Sequence, residues 1–164
     1  MKYISTRDTR NNPVSVSSAQ AIKKGLAPDG GLYIPEIFPT LSDADIHALL
    51  AMNYEETAAF ILSRFLDDYD PAGLASDAAA AYSEEKFPGG AAPVHALRDG
   101  IFSLELWHGP TCAFKDMALQ ILPYFLTTAV KKLHMDKKVV ILVATSGDTG
   151  KAALEGFKDV PGTE

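Results

Sequence analysis

A single cysteine, Cys112, leaves no partner for an intrachain disulfide and too few thiols for a zinc site. No stretch approaches the roughly 20 uncharged apolar residues that cross a bilayer. The opening MKYISTRDTRNN lacks the apolar core of a secretory leader, so a cytoplasmic, membrane-free location is the expectation. Basic residues are outnumbered: 15 Lys and Arg against 21 Asp and Glu leave a net charge of -6, which disfavours nucleic acid as a partner. The four histidines, at 47, 95, 108 and 134, lack metal-ligand spacing, and no metal site is expected. What is present, 47% apolar and 22% charged residues with 12 Gly and 10 Pro, is the composition of a globular chain and excludes collagen, coiled coil and wholesale disorder.

The first half reads as helices joined by turns. Ala19, Ile22 and Leu26 share a face over Ser15 to Leu26, and Ala27-Pro28-Asp29-Gly30-Gly31 supplies a stop. Leu32-Tyr33-Ile34-Pro35 suits a short strand. Ser42 with Asp45 three residues on, and Asn53 with Glu56, each read as the start of a helix whose first amides are capped by side chains. Asp70-Pro71 opens a fourth helix, expected to reach about Lys86. Two Pro and two Gly within Phe87 to Pro93 mark a boundary, dividing the chain into a mainly helical domain, residues 1–90, and a second segment, 91–164.

Past the boundary the period changes. Ile101 to Trp107 predicts a strand, Phe114 to Leu133 a long helix bent at Pro123, and Val139 to Ala144, apolar at every position, a strand covered on both faces. After Thr145-Ser146-Gly147-Asp148-Thr149-Gly150, a further helix is expected over Lys151 to Lys158. Strand, helix, strand, helix is the rhythm of an α/β domain with a parallel sheet between helices. The chain stops where a third strand should follow, so a longer protein is expected.

Two segments carry chemistry. In His108-Gly109-Pro110-Thr111-Cys112-Ala113-Phe114-Lys115-Asp116, Lys115 enters an apolar helix beside Phe114 and Met117. Desolvation there disfavours the ammonium form, and an uncharged amine is what carbonyl condensation needs. The plainer alternative is a solvated lysine paired with Asp116. The turn at 145–151 joins an apolar strand to a helix start, where free amides and the helix dipole favour a phosphate or carboxylate; the plainer alternative is a turn capped by Asp148 or Thr149. A nucleotide P-loop would need Gly at 145 and a hydroxyl residue at 152, where Thr145 and Ala152 stand. A phosphate- or nucleotide-binding module without covalent catalysis is the alternative function of this turn.

Taken with Tyr3-Ile4-Ser5-Thr6-Arg7 and Gly25-Leu26-Ala27-Pro28-Asp29-Gly30-Gly31-Leu32-Tyr33-Ile34-Pro35, these segments resemble the N-terminal part of the threonine synthase family. The Ala-Pro-Asp-Gly-Gly-Leu-Tyr run separates that family from serine dehydratases and cysteine synthases. The resemblance implies the start of a fold-type II domain that uses pyridoxal 5'-phosphate. Its activity is that of a lyase, turning O-phospho-L-homoserine and water into L-threonine and phosphate. It implies that Lys115 holds the cofactor covalently and then moves protons. Phe114 and Asp148 would lie at the cofactor, and Ser146, Gly147 and Thr149 would hold the substrate carboxylate. Cys112 replaces a usual aliphatic residue, and Asp148 stands where many such enzymes have Asn. The loop gripping the cofactor phosphate and the partner of the pyridine nitrogen would lie outside these residues. Residues 1–164 alone are therefore expected to bind the cofactor weakly and to be inactive.

Overall fold

The computed structural model describes residues 1–164, which divide into two compact units. The first comprises Met1–Ala75 with Phe125–Met135, the second Ser76–Tyr124 with Asp136–Glu164.

In the first unit, β1 (Tyr3–Ser5) and β2 (Tyr33–Pro35) pair antiparallel, with Ile4 opposite Ile34. Helix α1 (Ser18–Lys24) starts three residues later than expected. Ser17 instead takes an extended backbone, accepts from Gln20 N–H and is itself bonded by the Gln20 side chain. Helices α2 (Asp43–Leu49) and α3 (Tyr54–Phe65) start where predicted, each with the reciprocal cap, Ser42 with Asp45 and Asn53 with Glu56. The Phe65 carbonyl at the end of α3 accepts from both Tyr3 and Ser18 hydroxyls, which supplies partners a helix C-terminus otherwise lacks. Helix α4 (Pro71–Ala81) begins at the predicted Pro71 and ends short of Lys86. The Ser83 carbonyl instead accepts from Lys86 and Phe87 N–H in a separate turn. Ala19, Leu66, Tyr69, Leu74, Phe125 and Ala129 form the buried centre of this unit.

The second unit contains a hairpin, β3 (Val94–Arg98) and β4 (Ile101–Leu104), turning at Asp99-Gly100. The predicted strand thus stops at Leu104, and β3 was not foreseen, although Asp-Gly between apolar runs is a hairpin signal.

The predicted long helix is broken rather than bent. Helix α5 (Asp116–Leu119) and helix α6 (Leu122–Lys132) are separate, because Pro123 has no N–H to offer the Leu119 carbonyl. Helix α7 (Asp148–Phe157) starts three residues before the expected Lys151 and packs on α5.

The predicted strand over 139–144 is reduced to an isolated parallel bridge between Val139 and Thr163. Val139 N–H donates to Gly162 O, Glu164 N–H to Val139 O, and Ile141 N–H to Glu164 O, the pattern of a parallel ladder. Ile141 and Val143 are half-buried, whereas Val140 and Leu142 are 68% and 93% exposed. Within residues 1–164 one face is packed, with Val143 against Gly150 of α7, while Val140 and Leu142 point away from it.

Candidate functional site

The segment before α5 is fastened at several points. His108 has its Nδ1 3.2 Å from Pro88 O and its Nε2 2.8 Å from the Glu105 carboxylate, and its ring stacks on Trp107. Cys112 adopts a left-handed backbone, φ 58°, with its N–H on Gly109 O. Asp116 is fully buried, and its two oxygens accept from Thr111, one from the backbone N–H and one from the hydroxyl, both at 2.8 Å. Tyr82 OH donates to Met117 O at 2.8 Å and holds the first turn of α5.

Lys115 lies between these anchors as the residue preceding α5. Its Nζ sits 4.6 Å above the ring of Phe114, which is 60% exposed, and makes no ion pair with Asp116, whose carboxylate is turned inward to Thr111. The simple paired-lysine alternative therefore does not describe this site. A half-buried amine beside an aromatic face, on a turn held by other residues, is accessible to a carbonyl compound.

The second segment is organised by a residue outside the predicted set. Thr145 Oγ1 accepts from Gly147 N–H at 3.2 Å and Gly150 N–H at 3.0 Å. The residue before α7 is Gly147, at φ 150° and ψ -83°, a region open essentially to glycine, and it brings no side-chain cap. Neither Asp148 nor Thr149 is the cap; both lie inside the helix. Ser146, Asp148 and Thr149 are exposed, and the Asp148 and Thr149 amides have no acceptor in the chain. These amides, at the positive end of the α7 dipole, present donors suited to an oxyanion.

Lys115 and Phe114 on one side, and Ser146, Gly147, Asp148 and Thr149 on the other, belong to the same unit. The structure joins the two segments by packing α5 on α7 and by no direct hydrogen bond between them. Thr111, Asp116, Thr145 and Tyr82 were missed from sequence. Their partners lie on turns that no local period announces.

A family model described as Threonine synthase N terminus matches residues 2–82. The threonine synthase of Corynebacterium glutamicum is 40% identical over 158 residues, covering 93% of this chain and 32% of that protein. That of Methylobacillus glycogenes is 40% identical, covering 100% and 35%. Among solved structures, the pyridoxal-phosphate-bound threonine synthase of Brucella melitensis superposes with a TM-score of 0.90 at 36% identity, over all of this chain and 34% of that one. The Escherichia coli threonine synthase gives 0.83 at 36%, over all of this chain and 36% of that one. The chain thus spans about a third of the length of these relatives.

Proposed function

The chain belongs to the threonine synthase family, and we propose that the whole protein converts O-phospho-L-homoserine and water to L-threonine and phosphate. In this reading it is a fold-type II lyase dependent on pyridoxal 5'-phosphate, divided into an N-terminal domain over 1–90 and the start of the catalytic domain over 91–164. The cofactor, when bound, supplies the electron sink for elimination. The residues present fit it: an unpaired amine at Lys115 for the aldehyde and an exposed Phe114 ring beside it, with the free amides at the start of α7 left for the substrate carboxylate.

Lys115 would hold the cofactor, and its Nζ would accept and return protons at the substrate α- and β-carbons. Ser146, Gly147 and Thr149 orient the substrate carboxylate through hydroxyls and backbone N–H groups. Asp148 would lie at the cofactor. No helix is long and apolar enough to cross a membrane, and the small polar substrate is consistent with work in the cytoplasm without nucleic acid.

The observation that carries the reading is the Lys115 amine, left without an ion pair although an aspartate follows it in the chain. The test is borohydride reduction of the full-length protein after incubation with pyridoxal phosphate, followed by peptide mapping and an assay of phosphate released from phosphohomoserine. An adduct on Lys115 with phosphate release is expected. Labelling elsewhere, or phosphate binding with no adduct, overturns the reading in favour of a noncovalent anion-binding module.

A further inference from the structure

We propose that Asp116 is a positioning residue for Lys115: its buried carboxylate clasps Thr111 and fixes the turn from which the amine projects. This rests on the reading of Lys115 as the cofactor-bearing lysine.

Residues 115 and 116 are adjacent yet face opposite ways. Lys115 is half-buried with its Nζ over Phe114, while Asp116 has no exposed surface. Burying an ionised carboxylate is costly unless strong hydrogen bonds replace its water. Both oxygens are so replaced, and by the same residue: Thr111 donates its N–H to Oδ2 and its hydroxyl to Oδ1. One side chain thereby closes the turn from Thr111 to Asp116 on itself, with Lys115 inside the closure.

The surroundings are shaped to that carboxylate. A Cβ added at Gly109 would stand 2.6 Å from Asp116 Cβ and Oδ2 and 2.8 Å from the Phe87 ring. Phe87 is itself 1% exposed, so nothing there yields. Asparagine at 116 can keep both contacts, its oxygen accepting from Thr111 N–H and its amide donating to Thr111 Oγ1. Tyr82 OH on Met117 O fixes the residue on the far side of Asp116. Lys115 thus moves as a side chain on a backbone that does not, which is the arrangement a repeated proton transfer at fixed carbon atoms requires.

The experiment compares full-length wild type with Asp116→Ala, Asp116→Asn, Thr111→Val and Thr111→Ser. It reads kcat and KM for phosphate release, the fraction of Lys115 reduced onto pyridoxal phosphate, the cofactor absorbance, and thermal unfolding. Because small displacements of a reacting group cost on the order of 100-fold, Asp116→Ala is expected to lose about that factor in kcat, with KM little changed. Its Lys115 labelling should be slower, with an altered cofactor absorbance. Asp116→Asn should recover most of kcat and labelling, and Thr111→Ser should exceed Thr111→Val in both. A folded Asp116→Ala with wild-type labelling, absorbance and kcat overturns the proposal, as does Asp116→Asn failing as Asp116→Ala does. Should Asp116→Ala not fold, equal labelling and kcat in Thr111→Val and Thr111→Ser overturns it. Wild type without any adduct on Lys115 overturns the reading of the lysine itself, a separate result.

Discussion

A Cβ added at Gly156 would stand 2.1 Å from the Leu119 carbonyl oxygen, so α7 crosses the end of α5 where only a hydrogen fits. Leu119 O is also the carbonyl that Pro123 cannot serve, so the helix break and the close crossing fall at one place.

Because the obstructing atom is backbone and cannot turn aside, Gly156→Ala should destabilise the protein by roughly 1–3 kcal/mol, the cost of overpacking. Urea unfolding of wild type and variant measures this. An unchanged midpoint would show that the two helices can separate freely.

Lys115→Ala should behave in the opposite way. The amine lies over the Phe114 ring and forms no ion pair, so stability should change by no more than about 0.5 kcal/mol. Reducible labelling by pyridoxal phosphate at this position should vanish. A large loss of thermal stability would place the lysine in the structural framework instead.

Tyr82→Phe removes the hydroxyl that serves Met117 O and leaves that carbonyl short of a donor. A loss of about 1 kcal/mol is expected, the usual worth of such a bond. Calorimetry on the pair of proteins checks it, and a gain in stability would contradict the assignment.

Acid sensitivity should arise in the first unit. The Arg10 guanidinium holds the Asp8 carboxyl below its ordinary range, the Ser5 hydroxyl and then Gly31 N–H lower Asp29, and Ser42 N–H and hydroxyl lower Asp45. A carboxyl whose folded value is depressed contributes stability above its unfolded value, near pH 4, and loses it as pH falls through the folded value. The melting difference between wild type and Asp45→Asn should therefore be constant near neutrality and narrow below about pH 4. A gap that widens on acidification would reverse the sign and refute the account.

The elements foreseen most accurately are those specified within three or four residues. Ser42 with Asp45, Asn53 with Glu56, and Pro71 set their helix starts through contacts that close inside one turn. The site lysine was legible for a different reason: the motif around it resembles a known family, while the chemistry of an isolated lysine left two alternatives open. What decided between them was Asp116 turning towards Thr111, in a pocket that Gly109 and Phe87 close around its carboxylate.

Sequence alone thus determined the caps of α2 and α3, the Pro71 start of α4, the α/β class and the family of the chain, because each depends on near neighbours or on a contiguous motif. Tertiary structure decided which face of 139–144 is covered, that Thr145 rather than Asp148 or Thr149 organises its loop, and that Lys115 is left unpaired. The helix break follows from Pro123, whereas the others depend on which atoms the folded backbone brings together: a Val143 side chain at Gly150, a Thr145 hydroxyl at Gly150 N–H, a Thr111 hydroxyl at Asp116. Packing distances of that kind are set by the fold, and no spacing along the sequence encodes them.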